Sequence, residues 1–382
     1  MASLKDISAV CKVSVPTVSK ALHGACDVSE KTRRKVLKAA KELRYPVGGL
    51  GEELRDPGGG EEKTGNLGIL LPDQMGSDEM HTVTDIMAGF REASMRAGYD
   101  LTVLNTDGSA RNQLTYYSRC LYRHLDGVCV FRRRSGRYDP QLLELICSGL
   151  PVVTVGQVFD GHTAVLPDAA NDMRLLLWYL ARQGHGDIAF IGTGAWEREA
   201  RNMALFRRAS LFLGLELHEE WIRSAAADRG DAGADKEVEG LIAEMRALLR
   251  ELTQFSRPPR CFVVSGDRGA MAFGEAARRE GLRIPEDIPA AVFEGGGICR
   301  AMRGALTSVC VDCGAIGRAA AEGLIASILQ PDLSVGEQIL VPGILLKGES
   351  SERRTADSPP QKAAEDGNPE ENAYKNAGPE RN

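Results

Sequence analysis

The chain has no apolar run of about 18 residues, the length that crosses a bilayer, and no apolar core near its start, where Lys5 and Asp6 already stand. Neither a membrane span nor a secretory leader is predicted, and the expected compartment is the cytoplasm. Cysteine occurs nine times, an odd number, at positions 11, 26, 120, 129, 147, 261, 299, 310 and 313. That scatter is not the framework of a disulfide-stapled secreted domain. Cys310-Val311-Asp312-Cys313 is a lone CxxC. A structural zinc site needs a second ligand pair, and none is nearby. These cysteines read as small apolar fillers in or beside a strand, and no metal is expected.

Catalytic signatures are missing as well. The six histidines, at 23, 81, 124, 162, 185 and 218, form no His-Glu-x-x-His or similar metal spacing. There is no Gly-x-Ser-x-Gly elbow and no P-loop. Gly295-Gly296-Gly297 follows an apolar strand but lacks the GxGxxG fingerprint, so it reads as a cleft loop rather than a phosphate cradle. The expectation is a protein that binds, not an enzyme, and no cofactor is implied.

What is present is ample for two or three domains: 382 residues, 43% apolar and 26% charged, the balance of a soluble globular chain. The net charge of −6 is unevenly spread. Residues 1–46 carry ten Lys and Arg against four Asp and Glu, a net +6, which leaves −12 for the rest. A basic head on an acidic body concentrates attraction for phosphate at one end.

Within that head, Lys5 to Gly24 reads KDISAVCKVSVPTVSKALHG. Ile7, Val10 and Cys11 recur at helical spacing, and a break follows at Lys12-Val13. Ser14 can then accept from the free amides of a second helix. Val18, Ala21 and Leu22 bury this helix against the first, which leaves Val15, Pro16, Thr17, Ser19 and Lys20 partly outward. Pro16 falls in the first turn, where its missing N–H has no partner to lose. Two short helices about a tight turn make a helix-turn-helix, whose second helix enters the major groove.

Further along, Ser29 caps a third helix over 30–44, ended by Tyr45-Pro46. Residues 47–66 are a linker with seven glycines. From Leu67 strands alternate with helices. Strands are expected at 68–72, 99–105, 126–131, 151–155, 188–192, 261–265 and 290–294. Helices are expected at 83–98, 114–123, 172–183, 200–213, 270–280 and 316–329. This rhythm implies parallel sheets covered on both faces, in two lobes. Residues 352–382 are polar, without apolar periodicity, and read as a disordered tail.

The run LKDISAVCKVSVPTVSKALHG followed by VSEKTR resembles the headpiece of the lactose-repressor (LacI/GalR) family of bacterial transcription regulators. RQGHGDIAFIG, EGLRIPEDIPAAVFE, LTSV with GRAAAEGLIASIL, and ILVPGILLKGESS are similar to that family's core. The resemblance covers residues 3–351. It implies an α/β body of two Rossmann-like, periplasmic-binding-protein-like lobes behind an N-terminal all-α helix-turn-helix headpiece. The expected layout is 1–46 headpiece, 47–66 hinge, 67–351 effector-binding and dimerisation core, and 352–382 tail.

By the family pattern Val15, Pro16 and Lys20 read base edges, while Ser14, Thr17, Ser19, His23, Ser29 and Thr32 grip phosphates. Leu54 matches the leucine that a hinge helix wedges into the minor groove. Lys12 stands where the family has a turn glycine, and Gly51-Glu52 where it has Ala-Arg. In the cleft, Arg201 matches an effector-binding arginine, a residue suited to bidentate contacts. Glu294 replaces a family aspartate, Gly266-Asp267 replaces Asn-Asp, and Asp168 matches an acid at a helix start. Asp73 opens a loop that lacks the family's sugar-stacking aromatics. Helix caps or ion pairs are the alternative roles for these acids. The tail has no leucine heptad, so a homodimer is expected.

Together these features predict a repressor that binds palindromic operator DNA under control of a small effector. The family's example is a sugar or derivative, but the altered cleft residues read as a divergent or lost pocket rather than a common sugar pocket. The alternative is a ligand-binding module whose DNA binding has decayed, motivated by Lys12, the glycine-rich linker and Glu52. A catabolic enzyme would need turnover that no motif suggests.

Overall fold

The computed structural model describes residues 4–15, 17–18, 29, 32, 35–36, 38–39, 63–72, 77–106, 114–131, 139–193, 196–225, 234–330 and 336–352. Helix α1 (Leu4–Cys11) opens the chain. Its Ile7 and Cys11 are buried with Val18, Val36 and Ala39, so three stretches of the head share one small core. The Cys11 thiol donates to the Lys35 carbonyl at 3.3 Å, tying the first stretch to the third. Val10, expected on the buried face, is 52% exposed instead. At helical spacing it falls beside the stripe of Ile7 and Cys11 rather than in it.

The body holds two six-stranded sheets. The first contains β1 (Asn66–Leu71), β2 (Asp100–Asn105), β3 (Gly127–Phe131), β4 (Val152–Val155), β5 (Thr163–Pro167) and β11 (Gln338–Val341), in the order β11-β5-β4-β3-β1-β2, all parallel. The second contains β6 (Ile188–Thr193), β7 (Ile222–Ala225), β8 (Cys261–Ser265), β9 (Ala290–Gly295), β10 (Thr307–Cys310) and β12 (Ile344–Leu346), in the order β12-β10-β9-β8-β6-β7. Only β12, at an edge, is antiparallel to its neighbour. Every residue of β3, β6 and β8 is buried, as expected of strands covered on both faces.

Helices α2 (Ser77–Arg96) and α10 (Cys313–Leu329) cover one face of the first sheet, and α3 (Tyr116–Tyr122) and α4 (Pro140–Ile146) cover the other. On the second sheet the pairs are α5 (Ala169–Arg182) with α6 (Trp196–Leu213), and α7 (Ala234–Thr253) with α8 (Gly266–Arg279). A five-residue helix, α9 (Gly297–Ala301), follows β9. No helix among the described residues is long and apolar enough to cross a membrane.

The chain passes between the sheets three times. It crosses after β5 into α5, after β10 into α10, and from β11 into β12. The first two passages are marked by aspartate caps, whose carboxylates accept the free amides of the new helix. Asp168 accepts from Asn171 at 3.1 Å and Asp312 from Ala315 at 2.9 Å. At the third passage the Gly343 amide donates to Asp172 at 2.7 Å.

Elements absent from the sequence-based expectation are α4, β5, β7, α7, α9, β10, β11 and β12. Most are strands or helices of three to seven residues, too short to carry a periodic pattern. Helix α7 is different. Leu241, Ile242, Met245, Leu249 and Leu252 form a clear buried stripe along its 20 residues.

Candidate functional site

In the head, the turn is built by side chains that bond to backbone. The Ser8 hydroxyl donates to the Val13 carbonyl at 2.6 Å, and Lys12 takes a left-handed φ of 51°. The Thr17 amide donates to Ser14 Oγ at 3.2 Å, and the Val18 amide to the Ser14 carbonyl at 2.9 Å. Ser14 is therefore the N-cap expected of it. Ser29 does the same for the next stretch, accepting from the Thr32 amide at 3.3 Å. Ser14 and Ser29 are exposed, and Val15, Thr17 and Thr32 half-buried, which leaves a polar hydroxyl-rich rim beside a buried core. Pro16, Ser19, Lys20, His23 and Leu54 lie outside the described residues, as does Asp73 of the body.

In the body, Arg201, Glu294 and Asp267 lie at the carboxyl ends of the second sheet's strands, where open α/β sheets bind ligands, whereas Asp168 follows β5 of the first sheet. Arg201, in the second turn of α6, reaches Glu294 on β9. The guanidinium Nη2 donates to Glu294 Oε1, and Nε and Nη2 donate to Asn202 Oδ1 at 3.1 and 3.0 Å. Asn202 in turn donates from Nδ2 to Glu294 Oε2 at 2.9 Å. Glu294 is thus held by two donors at a left-handed φ of 55°. Its side chain is only 13% exposed, whereas that of Arg201 is 43% exposed. The closed triangle leaves the outer part of the guanidinium free for a ligand.

Asp267 and Asp168 serve the frame around this triangle. Asp267 accepts from the amides of Gly296 at 2.7 Å and Ile298 at 2.9 Å, so it holds the loop that follows Glu294. Asp168 caps α5. One turn on, Asp172 is buried at the third interlobe passage. Burial, opposed by the Gly343 amide and aided by the charges of Asp168 and Glu294, pushes its carboxyl up to about 6.

Two further residues carry no sequence motif. Glu199 is buried one turn before Asn202, packed over Gly192, and its Oε1 has no hydrogen-bond partner. Asn202, buried beside Arg201, could have been found only from its place next to the arginine.

Elsewhere, Asp187, Glu216 and His218 bring ligand atoms within 4.8 Å of one another at the amino end of β6. Arg257 already donates there to Asp187 at 2.7 Å and Glu216 at 3.0 Å, so a metal could enter only by displacing a guanidinium. A cavity of about 310 Å³ lined by Arg174, Trp178 and Phe212 lies on the outer α5/α6 face, not at Arg201.

Two families match. The one described as bacterial regulatory proteins, lacI family, covers residues 3–46, and a periplasmic binding protein-like domain covers residues 177–351. Among curated relatives, a ribose operon repressor of Haemophilus influenzae is 26% identical over 91% of this chain and 98% of its own length. A transcriptional repressor PurR of Erwinia tasmaniensis is 29% identical over 81% of this chain and 85% of its own. Among solved structures, a transcriptional regulator CelR–cellobiose complex superposes with a TM-score of 0.56 at 22% identity, covering 92% of this chain and 100% of that one. A lac repressor dimer bound to operator and the anti-inducer ONPF gives 0.56 at 19% identity, covering 92% and 99%. These structures share the two-lobed fold.

Proposed function

We propose, from the match of residues 3–46 to bacterial regulatory proteins of the lacI family and of residues 177–351 to a periplasmic binding protein-like domain, that the chain is a dimeric, sequence-specific transcription repressor whose hold on operator DNA is set by a small effector. The observation that carries this reading is the capped helix-turn-helix in a net +6 head, joined to a two-lobed body of opposite charge. Val15, Pro16 and Lys20 are assigned to base edges. Ser14, Thr17, Ser19, His23, Ser29 and Thr32 are assigned to phosphates, which position a protein without specifying sequence. Leu54 is assigned to the minor groove. The lysine at the turn costs backbone strain of about 1–2 kcal/mol rather than the turn itself, because Lys12 takes the left-handed conformation there.

In the body, Arg201 is assigned to the effector directly, with Glu294 and Asn202 fixing its orientation. Asp267 and Asp168 hold the surrounding loops, and Asp73 is assigned to the opposite wall. An effector that engages Arg201 favours one setting of the lobes, and so one spacing of the paired headpieces. The proposed layout is a head over 1–46, a hinge over 47–66, an effector and dimerisation core over 67–351 and a tail over 352–382. Binding rather than catalysis is its task.

The test is selection of fragments of the source genome by the purified protein at two salt concentrations, beside a Val15→Ala/Lys20→Ala variant. Enrichment of a short palindrome that the variant loses, with affinity falling as salt rises, is expected. A flat salt slope, or equal affinity for all fragments, would sink the reading. Arg201→Ala should abolish thermal stabilisation by the effector class that the neighbouring genes indicate. Unchanged stabilisation would make Arg201 structural.

A further inference from the structure

The CxxC of Cys310 and Cys313 is not a pair in space. Cys310 ends β10 and packs with Val292, Leu346 and Cys299 in a satellite core of the second lobe. Cys313 opens α10 and packs in the first lobe. The motif straddles an interlobe passage, and the thiol that Cys310 meets is Cys299, on α9. The two sulfurs approach one point. A Cβ on Gly295 would stand 2.8 Å from Cys299 Sγ and 3.1 Å from Cys310 Sγ, so glycine there leaves room for both. The thiols hydrogen-bond each other, and Ser308 Oγ lies 3.4 Å from Cys310 Sγ.

The pair is electrostatically unequal. The Cys299 S–H bond, the Ser308 hydroxyl and the Arg300 guanidinium outweigh burial and bring the Cys310 thiol down to about 7. Cys299 is held above the usual thiol range by its bond to Cys310, by burial and by Asp267. A thiolate beside a protonated thiol is the arrangement of an attacking and a resolving cysteine.

We propose that Cys299 and Cys310 form an oxidisable dithiol that takes hydrogen peroxide, Cys310 attacking and Cys299 closing the disulfide. The Cys310 thiolate attacks one peroxide oxygen, the O–O bond breaks, and the leaving hydroxide takes a proton to become water. Cys310 is then a sulfenic acid. The Cys299 sulfur attacks it, the S–O bond breaks, and the departing hydroxide leaves as water with the Cys299 proton. Two thiols lose two electrons, and one peroxide becomes two waters. Both sulfurs are buried, so access depends on opening of the five-residue α9. That helix also links the lobes. The Arg300 guanidinium donates to the Val311 carbonyl at the passage and to Asp85 of α2 at 2.9 Å. A disulfide therefore draws on the element that ties one lobe to the other.

The test treats full-length, reduced protein at pH 7 with hydrogen peroxide, in the presence and absence of dimedone to trap sulfenic acid, followed by peptide mapping. Expected are the loss of two hydrogens and a reducible cross-link between Cys299 and Cys310. In Cys299→Ser, dimedone should mark Cys310 about tenfold faster than the exposed Cys147. In Cys310→Ser, Cys299 should stay unmarked. Labelling of Cys310 no faster than Cys147, a cross-link to another cysteine, or none at all, would overturn the proposal. Circular dichroism checks each variant, and the wild-type cross-link decides alone if a serine variant fails to fold.

Discussion

The two lobes share a plan but close their cores differently. In the first, α2 and α10 meet backbone to backbone. A Cβ on Gly89 would stand 2.1 Å from the Gly314 carbonyl oxygen, and one on Gly317 would stand 2.0 Å from that of Ile86. In the second lobe rings fill the space. Phe190 stacks on Phe206 at 5.2 Å, Phe262 tilts on Phe273 at 5.4 Å, and Phe293 and Trp221 are fully buried. A seam of touching backbones has no side chain that can turn aside, whereas a core of side chains relaxes by repacking. The first lobe should therefore be intolerant of one methyl group, and the second tolerant of a changed ring.

The largest effect is expected for Gly317→Ala. Its methyl must part the two helices, at a cost of about 3 kcal/mol, read as the urea midpoint at unchanged slope. A loss below about 1 kcal/mol would remove the distinction between the lobes. Next is the joint between them. Between about pH 4 and pH 6 the folded protein keeps a proton on Asp172 that the unfolded chain releases, so this residue's contribution falls as pH rises through that window and is level above it. Asp172→Asn keeps an acceptor for the Gly343 amide and removes the titration. The variant should match wild type near pH 4 and exceed it by about 2 kcal/mol above pH 6. Parallel stability–pH curves would refute this. A smaller loss, about 1 kcal/mol, is expected for Phe262→Leu, and a loss equal to that of Gly317→Ala would erase the comparison from the other side. Smallest is Gly240→Ala on exposed α7, where nothing lies within 4 Å of the added methyl. A gain of about 0.5–1 kcal/mol in thermal unfolding is expected.

Local chemistry made much of this legible. Ser14 and Ser29 cap helices three residues before the amides they bind, and the buried strands read as apolar runs because both their faces are covered. Short edge strands such as β7 and β12 hold three or four residues, fewer than a pattern needs. The site was legible only in pieces. Arg201 and Glu294 are recognisable singly, but they meet across 93 residues, and Asp172 meets Gly343 across 171. Such partners are set by sheet order and crossover, not by neighbours in the chain. Cys310 and Cys313 are buried as the apolar fillers expected of them, but in different lobes, since a chain that changes lobes between its cysteines separates what spacing places together.

The three interlobe passages also set a timetable for synthesis. Strands β1 to β5 are complete once Pro167 has been made, yet α10, which seals their face against Leu67, Ile69, Phe90 and Val153, ends at Leu329. At about 5–20 residues per second, a ribosome needs roughly 8–30 s to cover that interval. Throughout it the nascent first lobe shows an open apolar face. The lobe begun first closes its core only near the end of synthesis, and the unsealed sheet is where chaperones would engage the growing chain and where a stalled or truncated product would aggregate.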